Sequence, residues 1–130
     1  MANKGVLIVD DNAVVRSSLR RLLESYPELE VSGEAENGQD AIDKAERLRP
    51  DLIILDLAMP VMNGLEAAPE LRKMLPDARL ILFTVHDGPQ VQHLAQAAGI
   101  HAVVSKSQAA STLIKQAQAL LACESKKVPE

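Results

Sequence analysis

The chain has 130 residues, of which 47% are apolar, 25% charged and 2% aromatic, and its formal net charge is −4. That length suits one domain around one core, and so few aromatic rings leave the core aliphatic and exclude base-stacking platforms for single-stranded nucleic acid. The acidic balance argues against direct binding of DNA or RNA, the lone Cys123 excludes an internal disulfide or thiolate cluster, and no apolar run reaches the length of a membrane span.

The first apolar run, VLIV (Val6–Val9), is cut off by Asp10, Asp11 and Asn12. It is too short, and meets acid too soon, to be a signal peptide, so a cytoplasmic location is expected. Val15, Leu19, Leu22, Leu23 and Tyr26 then recur at helical spacing, with Arg16, Arg20, Arg21 and Glu24 elsewhere on the wheel. VSGEA (Val31–Ala35) alternates, with Val31, Gly33 and Ala35 opposed to Ser32 and Glu34, the pattern of an edge strand exposed on one side. After Gly38 a weaker helical stripe runs through Ala41, Ile42, Ala45 and Leu48.

LIIL (Leu52–Leu55) is apolar throughout, as a parallel strand covered on both faces requires, and it stops at Asp56. Beyond Gly64, the residues Leu65, Ala68, Leu71 and Leu75 predict a helix that Pro69 should kink or begin. LILF (Leu80–Phe83) ends at Thr84. Val91, Leu94, Ala95 and Ala98 form the next stripe, with Gly99 placed to cap it. AVVS (Ala102–Ser105) leads to Lys106, and Leu113, Ile114, Ala117, Leu120 and Leu121 make the last helix. The polar ending ESKKVPE reads as a tail or the start of a linker, taken with Cys123 as the segment 123–130.

Strand followed by helix, five times over, predicts a single three-layer, doubly wound α/β domain with a parallel sheet and right-handed crossovers. Ligands of such sheets bind beyond the carboxyl ends of the strands. The residues there are Asp10, Asp11, Asn12, Asp56, Thr84, Ser105 and Lys106. Each has an ordinary explanation: a helix N-cap for Asp11 or Asn12, a wetted strand end for Asp56, a β-branched strand residue in Thr84, a solvated charge in Lys106. Their convergence is what matters. If the first and third strands are neighbours, three carboxylates share one crevice, and two charges ~4 Å apart repel by roughly 4 kcal/mol at an effective dielectric of 20. A hard divalent cation such as Mg2+ relieves that repulsion. With a lysine and a hydroxyl added, these are the parts of a phosphoryl-transfer site.

The blocks VLIVDDN, DLIILDLAMPVMNG, LFTVHD and VVSKS, in this order and spacing, resemble the receiver domain of two-component response regulators over roughly residues 5–122. The phrases PELEVSGEAENG and LRPDLIILDLAMP are most similar to regulators whose receiver precedes a helix-turn-helix output domain. The resemblance implies the sheet order 2-1-3-4-5 of the chemotaxis-regulator-like fold. It implies that Asp56 accepts a phosphoryl group from a phosphohistidine on a sensor histidine kinase or a phosphotransfer protein. Asp11, Asp56 and the backbone carbonyl of Ala58 would ligate Mg2+ directly, with Asp10 acting mainly through water, and Thr84 and Lys106 would bind the phosphoryl oxygens. A signalling phosphoacceptor rather than an enzyme is expected, with homodimerisation on activation, transcription as an output and no contact with a membrane.

The sequence departs from the family pattern in three places, the last of them a pair of residues. Val103 stands where an aromatic residue usually switches rotamer, and Ser107 follows the lysine where proline is common. Ala58 and His86 occupy the places that tune dephosphorylation, and Ala58 has no side-chain amide or acid to position a water. The alternatives fare worse. A haloacid-dehalogenase phosphohydrolase needs an acid where Ala58 stands, and a flavodoxin-like flavin carrier needs stacking aromatics. A receiver that had lost phosphorylation would not keep Asp10, Asp11, Asp56, Thr84 and Lys106 together.

Overall fold

The computed structural model describes residues 3–86 and 88–123, so most of the expected tail lies outside it. Strand and helix alternate throughout: β1 (Lys4–Val9), α1 (Ala13–Glu24), β2 (Leu29–Ala35), α2 (Gly38–Leu48), β3 (Leu52–Leu55), α3 (Gly64–Met74), β4 (Arg79–Thr84), α4 (Pro89–Ala97), β5 (Ala102–Ser105) and α5 (Ala110–Cys123). The sheet has the order β2-β1-β3-β4-β5, and every pairing is parallel. The central strand LIIL is fully buried along its length, which is why its sequence shows no polar alternation.

The apolar residues divide between the two faces of the sheet. Leu7, Val9, Ile53, Leu55, Leu80 and Leu82 meet the small residues of α2, α3 and α4, among them Ala41, Ala45, Ala67, Ala68 and Ala95. Val6, Ile8, Leu52, Ile54 and Ile81 meet Leu19 and Leu23 of α1 and Leu113, Ile114 and Ala117 of α5. Alanines on the first side let three helices lie close to the sheet. No helix of the described residues is long and apolar enough to cross a membrane.

β2 is an edge strand, as its alternation predicts, but its faces are not those of a simple alternation. Val6 pairs with Val31 whereas Leu7 pairs with Gly33, so Ser32 is an extra residue and the strand carries a bulge. A bulge resets the two-residue period of side-chain direction. Val31 therefore packs on the α1–α5 side while Ala35 belongs to the opposite core. Glu34, aligned with Ile8, is left on the α1 side.

There Glu34 Oε1 accepts from Arg16 Nε at 3.0 Å and Oε2 from Arg20 Nε at 2.6 Å. Its backbone carbonyl accepts from Lys44 Nζ of α2 at 2.6 Å. The hydrogen bond from Arg20 holds the Glu34 carboxyl below the usual glutamate range; partial burial opposes this and Arg16 adds to it. A depressed carboxylate pKa contributes stability above the unfolded value of about 4.3 and loses it as pH falls through the folded value. Glu34→Gln should thus lower stability by about 1 kcal/mol at pH 7, with the gap narrowing toward pH 3. Urea melts at both pH values measure it, and a gap that does not change with pH would show that ionisation of Glu34 contributes nothing.

Three expectations need correction. By its spacing Leu94 belongs to the buried stripe of its helix, yet it is 49% exposed. Helix α4 is short and presents Ala95 to the core, and Leu94, about 100° away on the wheel, misses it. Pro69 does not begin α3: the helix starts five residues earlier at Gly64 and runs through the proline, which sits on its exposed face. Tyr26 lies beyond the end of α1, in the turn to β2. Gly99 follows the C-cap of α4 at φ +90°, a left-handed conformation that favours glycine.

Candidate functional site

The strands deliver their polar ends to one place. The amide of Asp10 donates to the carbonyl of Ala35 and that of Asp56 to the carbonyl of Val9, so each aspartate continues the sheet ladder by one residue. Both are nearly enclosed, at 2% and 7% exposure, whereas Asp11 is exposed. Oxygens of Asp10, Asp11 and Asp56 lie within 4.8 Å of one another. The lysine at the end of β5 answers them: Lys106 Nζ donates to Asp10 Oδ2 at 2.7 Å and to Asp56 Oδ2 at 3.2 Å.

One cation shared by two buried carboxylates leaves negative charge uncompensated. Burial, and then the charge of Asp10, raise the pKa of Asp56, and Lys106 only partly offsets them. Burial likewise disfavours the Lys106 ammonium, but its hydrogen bond to Asp10 and the charges of both aspartates prevail and hold it above the usual lysine range. The two directions are consistent: the lysine gains from two anions, and Asp56 has only a share of one cation. A hard divalent ion fits this set of closely spaced carboxylate oxygens, which is the donor chemistry Mg2+ prefers.

The remaining acceptors hold the carboxylates in place. Asp56 Oδ1 accepts from the amide of Leu57 at 2.8 Å and Asp10 Oδ1 from that of Asn12 at 2.9 Å. Asn12, not Asp11, is the N-cap of α1 and accepts from Val14 and Val15. That leaves the Asp11 carboxylate free for the cluster. Thr84, fully buried at the end of β4, accepts from the amide of His86 at 3.1 Å through its hydroxyl, and its carbonyl accepts from the amide of Lys106. Ala58 and His86 are exposed in the loops after β3 and β4.

Val103 is aligned with Leu82 and packs toward the α2–α3–α4 side. Phe83, the chain's single phenylalanine, faces the other way, with Lys106 Nζ 6.0 Å from its ring centroid. It cannot take the place of a ring at residue 103, because the two residues lie on opposite faces of the sheet.

Other contacts shape the site, some through residues the strand-end pattern does not mark, such as Asn63, Glu66 and Arg16. Ser107 donates its amide to Ser105 Oγ at 3.1 Å, and the two hydroxyls are 2.7 Å apart. A proline has no amide to close that turn. Asn63 and Glu66 form a capping box that starts α3 beside the Asp56 loop, and their N-x-x-E spacing was a readable signal. Arg16 donates through Nη1 to the backbone carbonyl of Asp10 at 2.5 Å.

Comparison with known proteins agrees with this geometry. The profile of the response regulator receiver domain family matches residues 6–118. The response regulator protein VraR of Staphylococcus saprophyticus is 35% identical over 108 residues, covering 83% of this chain and 52% of that protein. The chain thus spans about half the length of this relative. A LuxR-family two-component response regulator from Aurantimonas superposes with a TM-score of 0.88 at 32% identity, covering 93% of this chain and 86% of that one. The isolated receiver domain of RcsB from Salmonella enterica serovar Typhimurium, solved in the presence of phosphomimetic BeF3−, gives a TM-score of 0.83 at 27% identity, over 91% of this chain and 88% of that one. With the acidic cluster at the strand ends and a family match over nearly its whole length, this chain belongs to the response regulator receiver domain family.

Proposed function

We propose that residues 5–122 act as a phosphoacceptor switch, with Asp56 taking a phosphoryl group from the phosphohistidine of a sensor histidine kinase or phosphotransfer protein. The observation that carries this reading is the junction of Asp10, Asp11 and Asp56 with Lys106 at the carboxyl ends of the strands. A carboxylate oxygen of Asp56 forms the new P–O bond as the P–N bond to the donor imidazole breaks, and the imidazole keeps the electron pair. Asp10, Asp11, Asp56 and the carbonyl of Ala58 would hold Mg2+, which when bound neutralises charge on the phosphoryl oxygens. Lys106 then pairs with those oxygens, and the hydroxyl of Thr84 turns from the amide of His86 toward them.

That exchange at Thr84 frees the loop after β4. With valine at residue 103 the signal travels through this loop and α4 without a ring changing its rotamer, and Ala58 and His86 set how long the phosphoryl group lasts. The family role is signalling rather than turnover of a substrate. Similarity to a LuxR-family regulator described as DNA-binding, from Staphylococcus aureus, supports transcription as the output, and homodimerisation on activation is proposed as its trigger.

The test is chemical. Incubation with Mg2+ and acetyl phosphate should add one phosphoryl group, and borohydride reduction should mark the peptide that carries Asp56. Incorporation at another residue, or none from either acetyl phosphate or a phosphorylated donor, would overturn the assignment.

A further inference from the structure

We infer that Arg16 is a positioning residue that presets the cation-binding carboxylates through the Asp10–Asp11 peptide. The inference rests on reading the acidic cluster as a cation site. Besides the bond its amide donates to Ala35, Asp10 accepts three: its Oδ1 from the Asn12 amide, its Oδ2 from Lys106, and its backbone carbonyl from Arg16. That carbonyl belongs to the peptide linking Asp10 to Asp11, so its direction sets where the exposed Asp11 side chain begins. Arg16 is itself immobilised, because its Nε donates to Glu34 at 3.0 Å while Nη1 reaches Asp10. The planar guanidinium holds these two acceptors at a fixed separation and angle through its rigid fork, which an ammonium on a flexible stem does not do.

The bulge at Ser32 makes this possible. Were the same residues to alternate from Val31 without a bulge, Glu34 would face the α2–α3–α4 side, out of reach of α1. Arg20 supplies the contrast. It binds the same Glu34 carboxylate at 2.6 Å, and its other ion pair is with Glu24. A purely structural role predicts that the two arginines behave alike, and a positioning role predicts that they differ.

The experiment titrates Mn2+ into the full chain, following the signal of the free ion by electron paramagnetic resonance, with a thermal melt in EDTA for each variant. Arg16→Gln and Arg16→Lys should each bind Mn2+ about tenfold more weakly than the wild type, the loss typical of groups that orient metal ligands. Arg20→Gln should lower the melting temperature without changing Mn2+ affinity. Equal affinity in the wild type and a folded Arg16→Lys variant would overturn the positioning role while leaving the cation site intact. Equal weakening by Arg20→Gln would also overturn it, by assigning the effect to Glu34 alone. A wild type that binds no Mn2+ would overturn the reading of the site and the inference together.

Discussion

Asp56→Asn is expected to abolish phosphoryl incorporation and, in the absence of metal, to make the protein more stable than the wild type. Asparagine has the same shape and keeps an oxygen for the amide of Leu57, which Asp56 Oδ1 now accepts at 2.8 Å. What it removes is a buried negative charge. The pKa of Asp56 is raised, first by burial and then by Asp10, so the folded state holds its proton more tightly than the unfolded chain does. For a carboxylate shifted in that direction, stability falls as pH rises from the unfolded value of about 3.9 through the folded one. At pH 7, well above the unfolded value, the wild type bears that cost and the variant none. The expected gain is about 1 kcal/mol, or a few degrees in melting temperature. It should disappear below about pH 4, where both chains are neutral at this position. Millimolar Mg2+ should shrink the gap by stabilising the wild type more than the variant. A variant that melts in EDTA at or below the wild-type temperature would mean that Lys106 compensates Asp56 in full.

This cost is legible in the sequence only in outline. The runs VLIV and LIIL announce strands buried on both faces because nothing polar interrupts them, and the residue that ends each run lies at the carboxyl edge of the sheet, where such folds bind their ligands. That logic reached Asp10, Asp11, Asp56, Thr84 and Lys106, all at strand ends in the structure. It could not reach Arg16 or Glu34. Glu34 lies on an alternating strand whose apparent faces are exchanged by the bulge at Ser32, and a bulge depends on pairing with β1, not on the local pattern. Leu94 shows the same limit on a helix: a period identifies the element, and only its docking decides which flank is covered. Pro69 shows it from another side: local propensity offers it as a helix start, yet the capping box at Asn63 and Glu66 starts α3 earlier and the proline sits within the helix on an exposed face.

The glycine that opens α3 should be among the least replaceable residues in the chain. An ideal Cβ built on Gly64 falls 2.3 Å from the backbone oxygen of Asp56 and 3.2 Å from Leu82 Cδ1. The conflict is one of space, because among the described residues the only glycine with positive φ is Gly99. Neither partner can yield easily. The amide of Asp56 is held by Val9, and the amide of Gly64 donates back to Leu57 at 2.9 Å, so loop and helix start are tied on both sides of the clash. Relief requires α3 to move away from the sheet or Asp56 to shift on its strand. Gly64→Ala should therefore cost about 3 kcal/mol, the upper end of what overpacking usually costs, and lower the melting temperature by roughly 10 °C. Phosphoryl incorporation should slow by ten- to a hundredfold or thereabouts, since a displacement of about 1 Å at a reacting group costs on that order. Gly88 provides the control: a Cβ there meets nothing within 4 Å, and as the N-cap of α4 the position accepts serine. Gly88→Ser should keep both stability and rate, and a Gly64→Ala variant that did the same would show that Asp56 is not held by the contact between its carbonyl and the start of α3.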